Sequence, residues 1–118
     1  PKRDFLYVKD TAQGFIKMAE AENNLGETIH IGTGRSVTMG ETLDEILEIL
    51  DLKDIPVITQ QERVRPDKSE VMVLECNPAK AKQVIGWEPG YTYRQGLAET
   101  IEYLRESLDL YKTAVYNV

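Results

Sequence analysis

An α/β unit of about four helices and four short strands is the fold class this chain predicts. Three observations predict it. Helix start signals recur along the sequence, short runs with β-branched residues lie between them, and the two kinds of segment alternate. At 118 residues the chain amounts to one domain or a part of one. A chain of that size buries roughly two-thirds of the surface it exposes when unfolded, enough for a modest core.

The helices follow in order. Asp10 is positioned to cap a helix over Thr11–Glu22, with Gln13 three residues on and Ala12, Phe15, Ile16 and Ala19 along one face. Thr38 and Glu41 form a capping-box pattern ahead of Leu43, Ile46, Leu47 and Leu50. Thr92 and Gln95 repeat it ahead of a stripe of Leu97, Ile101, Leu104 and Leu108. A shorter helix is expected where Asn77 serves as N-cap, Pro78 takes the first helical position and Gly86 closes the end in a left-handed conformation. Strands are expected at Phe5–Val8, Thr28–Ile31, Ile55–Thr59 and Val71–Leu74. No repeat or low-complexity tract interrupts them, and four short strands are too few for a full doubly wound domain.

Composition narrows the function classes. Hydrophobic residues make up 42% and charged residues 29%, an ordinary globular balance. No run approaches the ~20 apolar residues needed to cross a bilayer, and no signal-peptide pattern is present, so no membrane partner is expected. A formal charge of −6 argues against a nucleic-acid partner, because counterion release at phosphates rewards a basic face. The single cysteine, Cys76, leaves no internal disulfide and fits a reducing cytoplasm. No histidine or basic cluster adjoins it, so packing is its expected role. His30, the only histidine, lies between Ile29 and Ile31 and reads as an ordinary strand residue. No metal-ligand spacing is present.

Two stretches invite a chemical reading. GTGRSVTMG, Gly32 to Gly40, follows a strand candidate and precedes a helix, as a phosphate-cradling loop does. Its spacing is not GxGxxG, and no acidic residue ends a second strand about twenty positions later. A tight turn feeding a capped helix is the favoured reading. RVRPDKSEV, Arg63 to Val71, sets two arginines and two carboxylates around a proline. Arginine suits a diphosphate because its planar fork gives paired, charge-assisted hydrogen bonds, each worth roughly 1.5–3 kcal/mol. A carboxylate nearby suits ribose hydroxyls. A solvated surface loop has the same composition, and the residues alone leave both readings open.

The order of motifs resembles one family over nearly the whole chain, from Arg3 to about Tyr103. RDFLYVKD (Arg3 to Asp10), Arg65-Pro66 with Glu70-Val71, Asn77-Pro78-Ala79-Lys80-Ala81, Gly86-Trp87-Glu88-Pro89 and Gly96-Leu97 with Thr100-Ile101 are similar, in sequence order, to segments late in the extended short-chain dehydrogenases/reductases that epimerise or dehydrate nucleotide-linked sugars. RPDKSEV and the closing LYKTAVYNV look most like UDP-N-acetylglucosamine 4,6-dehydratases of nonulosonic acid pathways. By that resemblance Arg3 and Arg65 contact the diphosphate of a UDP-sugar and Glu70 the ribose. Asp67 is a second-choice ribose partner, and Arg63 stays open between a phosphate ligand and a surface charge. The family aspartate at the helix start is Asn77 here, which keeps the cap and removes its charge. Trp87 is expected to bury itself under the final helix.

The resemblance also implies what lies elsewhere. The family's tyrosine with lysine four residues later is absent, since none of the six tyrosines has that lysine, and so is its glycine-rich cofactor loop. The chain begins two residues before the RDFLYVKD pattern, without an initiator methionine. It is therefore expected to be the C-terminal nucleotide-sugar-binding domain of a longer NAD-dependent enzyme, a remnant lacking its N-terminal Rossmann part, binding no NAD by itself and inactive alone. A UDP-sugar 4-epimerase is the nearest alternative parent. A different class also remains: a non-catalytic module, self-associating as a homodimer or protein-binding through an apolar face on the helix Thr11–Glu22 and the strand Thr28–Ile31.

Overall fold

The structure, a computed structural model, describes residues 1–58 and 70–111. Its elements run β1 (Lys2–Asp4), α1 (Val8–Glu20), β2 (Ser36–Thr38), α2 (Met39–Ile49), β3 (Val73–Leu74), α3 (Ala79–Ile85) and α4 (Tyr93–Glu106), followed by a single 3-10 turn at Leu108–Leu110. The expected α/β class and four helices are present, and the described residues form three strands rather than four. β1 is central in a sheet of order β2-β1-β3. It pairs antiparallel with β2, Arg3 opposite Val37, and parallel with β3, Arg3 opposite Leu74.

Both capping boxes form as the sequence predicts. Thr38 accepts from the backbone N–H of Glu41 while the Glu41 carboxylate accepts from that of Thr38, and Thr92 and Gln95 exchange the same pair of bonds. Leu43, Ile46, Leu47 and Leu50 are half-buried along α2. In α4 the stripe holds only through Leu97 and Ile101; Leu104 and Leu108 are exposed, and the helix ends before Leu108. At α3 the Asn77 side chain accepts from the Ala79 N–H at 3.0 Å, and the helix begins one residue later than expected. Gly86 closes it at φ 60°, the left-handed conformation that a Cβ disfavours.

Several expectations need correction. The first strand lies at Lys2–Asp4, not Phe5–Val8, and α1 starts at Val8 with Tyr7 as a backbone-only N-cap. Asp10 is therefore inside the first turn and does not cap. It is buried, and its carboxylate accepts from the N–H groups of Gly90 (2.8 Å) and Tyr91 (3.2 Å) instead. That inward pull sets the phase of α1. Asp10 and Gly14 face the core, and Met18 packs against it, while Phe15 (64% exposed) and Ile16 (49% exposed) point outward with Ala12 and Ala19. Thr28–Ile31 forms no strand; Ile29 and Ile31 serve as packing for the core from an irregular segment, and the strand follows at Ser36–Thr38. Ile55 to Ile58 is exposed and irregular, as a run containing Pro56 with no sheet partner must be, and Thr59 lies outside the described residues.

The core is small. Ala81, Ile85 and the fully buried Trp87 form its centre, with Leu6, Met18, Ala21, Ile29, Ile31 and Val84 packed around them. Trp87 is thus buried as expected, but against α1 and α3 rather than under α4. Its indole N–H donates to the Asp10 carbonyl oxygen at 3.1 Å, so the one polar atom it takes inside is satisfied. Trp87→Ala should cost about 3–5 kcal/mol of unfolding free energy, read from urea titration, with Trp87→Phe losing less because it leaves a smaller cavity.

Candidate functional site

Arg3 and Glu70, 67 positions apart in sequence, meet at the β1–β3 edge. The Arg3 Nη2 group donates to the Glu70 carboxylate, and Nη1 donates to the carbonyl oxygens of Lys2 and Val71, each at 2.8 Å. The side chains are 25% and 17% exposed, so the ion pair is sheltered from full screening yet open on one side. Arg3 thereby fixes the backbone where the RVRPDKSEV stretch rejoins the sheet. Arg63, Arg65 and Asp67, the other expected ligands, lie outside the described residues.

The neighbouring residue on β1 points the opposite way and was missed by the sequence reading. The Asp4 carboxylate accepts from Thr33 N–H (3.0 Å), Thr33 Oγ1 (2.5 Å), Gly34 N–H (3.0 Å) and Cys76 N–H (3.2 Å). Its only sequence signal was an acidic residue standing beside the arginine at the head of an apolar run. These bonds also decide the glycine-rich turn. The N–H groups of Thr33 and Gly34, the ones a phosphate would need, are already given to a carboxylate. Gly32 is pressed so closely on Cys76 that a Cβ there would sit 2.3 Å from the cysteine Cβ. The turn is a packing joint, and it does not fit the diphosphate of a dinucleotide cofactor. Burial, helped by the nearby Asp4 charge, raises the Cys76 pKa and keeps the thiol protonated, in keeping with a packing role. His30 is exposed. Among the described residues no cluster of His, Cys, Asp and Glu could hold a metal ion, and no helix is long and apolar enough to cross a membrane.

A separate cavity of about 1000 Å³ opens between the β1–α1 junction and α4, walled by Phe5, Tyr7, Tyr91, Tyr93 and Tyr103. Its charges are Lys9 against Glu99, Glu102 and Glu106. Such a wall repels a pyrophosphate, and neither Arg3 nor Glu70 lines it. At its rim Tyr7 Oη (2.8 Å) and Lys9 Nζ (2.5 Å) both donate to Glu99, while the Lys9 ammonium lies 5.9 Å from the centre of the Tyr91 ring. The hydrogen bonds from Lys9 and then Tyr7 pull the Glu99 pKa below the ordinary glutamate range. The Glu99 hydrogen bond in turn raises the pKa values of Lys9 and Tyr7.

The comparisons with known proteins agree on a class. A UDP-glucose 4-epimerase from Thermotoga maritima, solved with UDP-glucose, superposes with a TM-score of 0.76 at 32% identity, covering 91% of this chain and 32% of that one. A dTDP-glucose 4,6-dehydratase from Bacillus anthracis, solved in complex with NAD, gives 0.75 at 27% identity over 94% of this chain and 33% of that one. A UDP-glucuronate 4-epimerase from Thermodesulfobacterium geofontis is 31% identical over 112 residues, 94% of this chain and 32% of the relative. Fold and relatives thus define a nucleotide-sugar-modifying class of the short-chain dehydrogenase/reductase type. Within it, the chain belongs to the GDP-mannose 4,6 dehydratase family, whose model matches residues 1–100. The chain spans about a third of the length of these relatives.

The Tyr7–Lys9–Glu99 cluster makes a pH-dependent contribution with a definite sign. Glu99, with its depressed pKa, stabilises the fold at neutral pH, and that share is lost as pH falls through the folded value. The shares of Lys9 and Tyr7, with raised pKa values, are present below their unfolded values and lost as pH rises through the folded ones. Glu99→Gln should therefore lower the urea midpoint most near neutrality. The difference from wild type should close both below the ordinary carboxylate range and at strongly alkaline pH.

Proposed function

We propose that residues 1–118 form the C-terminal, substrate-holding domain of an NAD-dependent nucleotide-sugar 4,6-dehydratase, with UDP-N-acetylglucosamine as the favoured sugar nucleotide. The reading is carried by the meeting of Arg3 with Glu70 at one sheet edge in a chain whose first 100 residues match a 4,6-dehydratase family. In it, Arg3 and Arg65 hold the diphosphate through paired N–H donors. Glu70, seconded by Asp67, accepts from the ribose hydroxyls, and Arg63 adds positive charge at the same stretch. Binding of this kind fixes the sugar while its far end reacts. NAD and the catalytic tyrosine belong to the rest of the enzyme, and no redox step is assigned to the described residues. The cytoplasm, where sugar nucleotides and reduced thiols coexist, is the proposed location.

A second reading keeps the same binding role in a UDP-sugar 4-epimerase, and it is favoured by the two epimerases at 31% and 32% identity. The two reactions leave different products. A dehydratase releases one water and yields a 4-keto-6-deoxy sugar nucleotide, whereas an epimerase yields an isomer of unchanged mass.

Titration calorimetry of the full-length protein with UDP should show salt-sensitive binding that Arg65→Ala weakens about tenfold or more, the loss of one charge-assisted hydrogen-bond pair. Binding that ignores both salt and this substitution would remove the proposal. Mass spectrometry of the product from UDP-N-acetylglucosamine and NAD then separates dehydratase from epimerase.

A further inference from the structure

The Arg3 guanidinium is not waiting open for an anion. Among the described residues it already holds one, the Glu70 carboxylate: Nη1 is shared by the Lys2 and Val71 carbonyl oxygens, and Nη2 carries Glu70. The Nη1 bonds tie the arginine to β1 and to Val71, two residues before β3, so its position does not rest on the carboxylate alone. Glu70 reaches it from an irregular position just outside β3, at the edge of the sheet and partly open to water. A carboxylate and a phosphate oxygen compete for the same planar donors. A phosphate that enters beside an unmoved carboxylate on the same guanidinium meets like-charge repulsion.

We propose that Glu70 is a built-in placeholder for the substrate phosphate: it neutralises Arg3 in the empty protein and exchanges places with the incoming phosphate. Released from Arg3, it turns its acceptor oxygens to the sugar hydroxyls that arrive with that phosphate. This inference rests on the proposed nucleotide-sugar reading and adds a specificity device to it. A bare phosphate must displace the carboxylate with nothing to offer in return, and the freed charge is left unpaired. A nucleoside diphosphate displaces it and then supplies hydroxyl donors. Glu70 thus selects against inorganic phosphate and pyrophosphate, anions that any exposed arginine would otherwise collect.

Removing the placeholder's charge should therefore improve binding of the wrong anion. Inorganic pyrophosphate and UDP are titrated into the full-length wild-type protein and into Glu70→Gln, Arg3→Ala and Arg3→Lys, with the urea midpoint of each variant checked alongside. Glu70→Gln should raise pyrophosphate affinity about three- to fivefold at low salt, the size of a partly exposed charge pair, and should lower the preference for UDP over pyrophosphate. Arg3→Ala should weaken both ligands. Arg3→Lys, which keeps the charge and loses the fork, should weaken them less and serves if the alanine variant does not fold. If the arginine variants weaken both ligands while Glu70→Gln leaves pyrophosphate unchanged or weaker, the placeholder is refuted and the nucleotide reading stands. If they leave both ligands unchanged, Arg3 holds no phosphate and both ideas fall.

Discussion

One carboxylate sets the geometry on which the rest of this small fold depends. Asp4 accepts hydrogen bonds from Thr33, Gly34 and Cys76, joining the end of β1 to the turn before β2 and to the segment between β3 and α3. Strands of two and three residues have almost no stability of their own, since few ladder bonds oppose the entropy of ordering the chain. Side-chain bonds to backbone N–H groups replace the missing length of ladder. Because adjacent strand residues point to opposite faces, fixing Asp4 on one side fixes Arg3 on the other. The Arg3 side of the sheet is therefore held in place from behind.

Asp10 performs the same service for the helices. Its carboxylate receives the N–H groups of Gly90 and Tyr91, its carbonyl receives the Trp87 indole, and α1 is thereby tied to the connection between α3 and α4. Both acidic residues come from the opening eight-residue motif, and both act by accepting from backbone donors far away in sequence. A buried carboxylate that accepts several N–H bonds is well compensated for its lost hydration. The motif is thus a pair of anchors with an arginine beside the first.

Charge is segregated across the molecule. The aromatic cavity carries Glu99, Glu102 and Glu106 with Lys9 at its rim, and the central strand carries Arg3 with its own counterion. In a chain of net charge −6, an anionic ligand finds favourable potential only where cations are focused locally. The exposed Phe15 and Ile16 on α1 belong to neither region and form an apolar strip on the outer surface of the described unit.

Much of this was legible in the chain itself, and the limits of legibility have a common cause. Capping boxes at Thr38–Glu41 and Thr92–Gln95 and the left-handed Gly86 were readable because their bonds close within a few neighbouring residues, so local sequence settles them. Family membership was readable because it rests on the order of motifs, which needs no coordinates. The phase of α1, the absence of a strand at Thr28–Ile31, the seat of Trp87 and the pairing of Arg3 with Glu70 were not readable. Each depends on partners far away in the chain, and a periodic pattern states that a face is apolar without stating which neighbour will cover it. Asp10 looked like a cap because a cap is the local use of such a residue; its actual donors, Gly90 and Tyr91, are brought to it only when the chain has closed on itself.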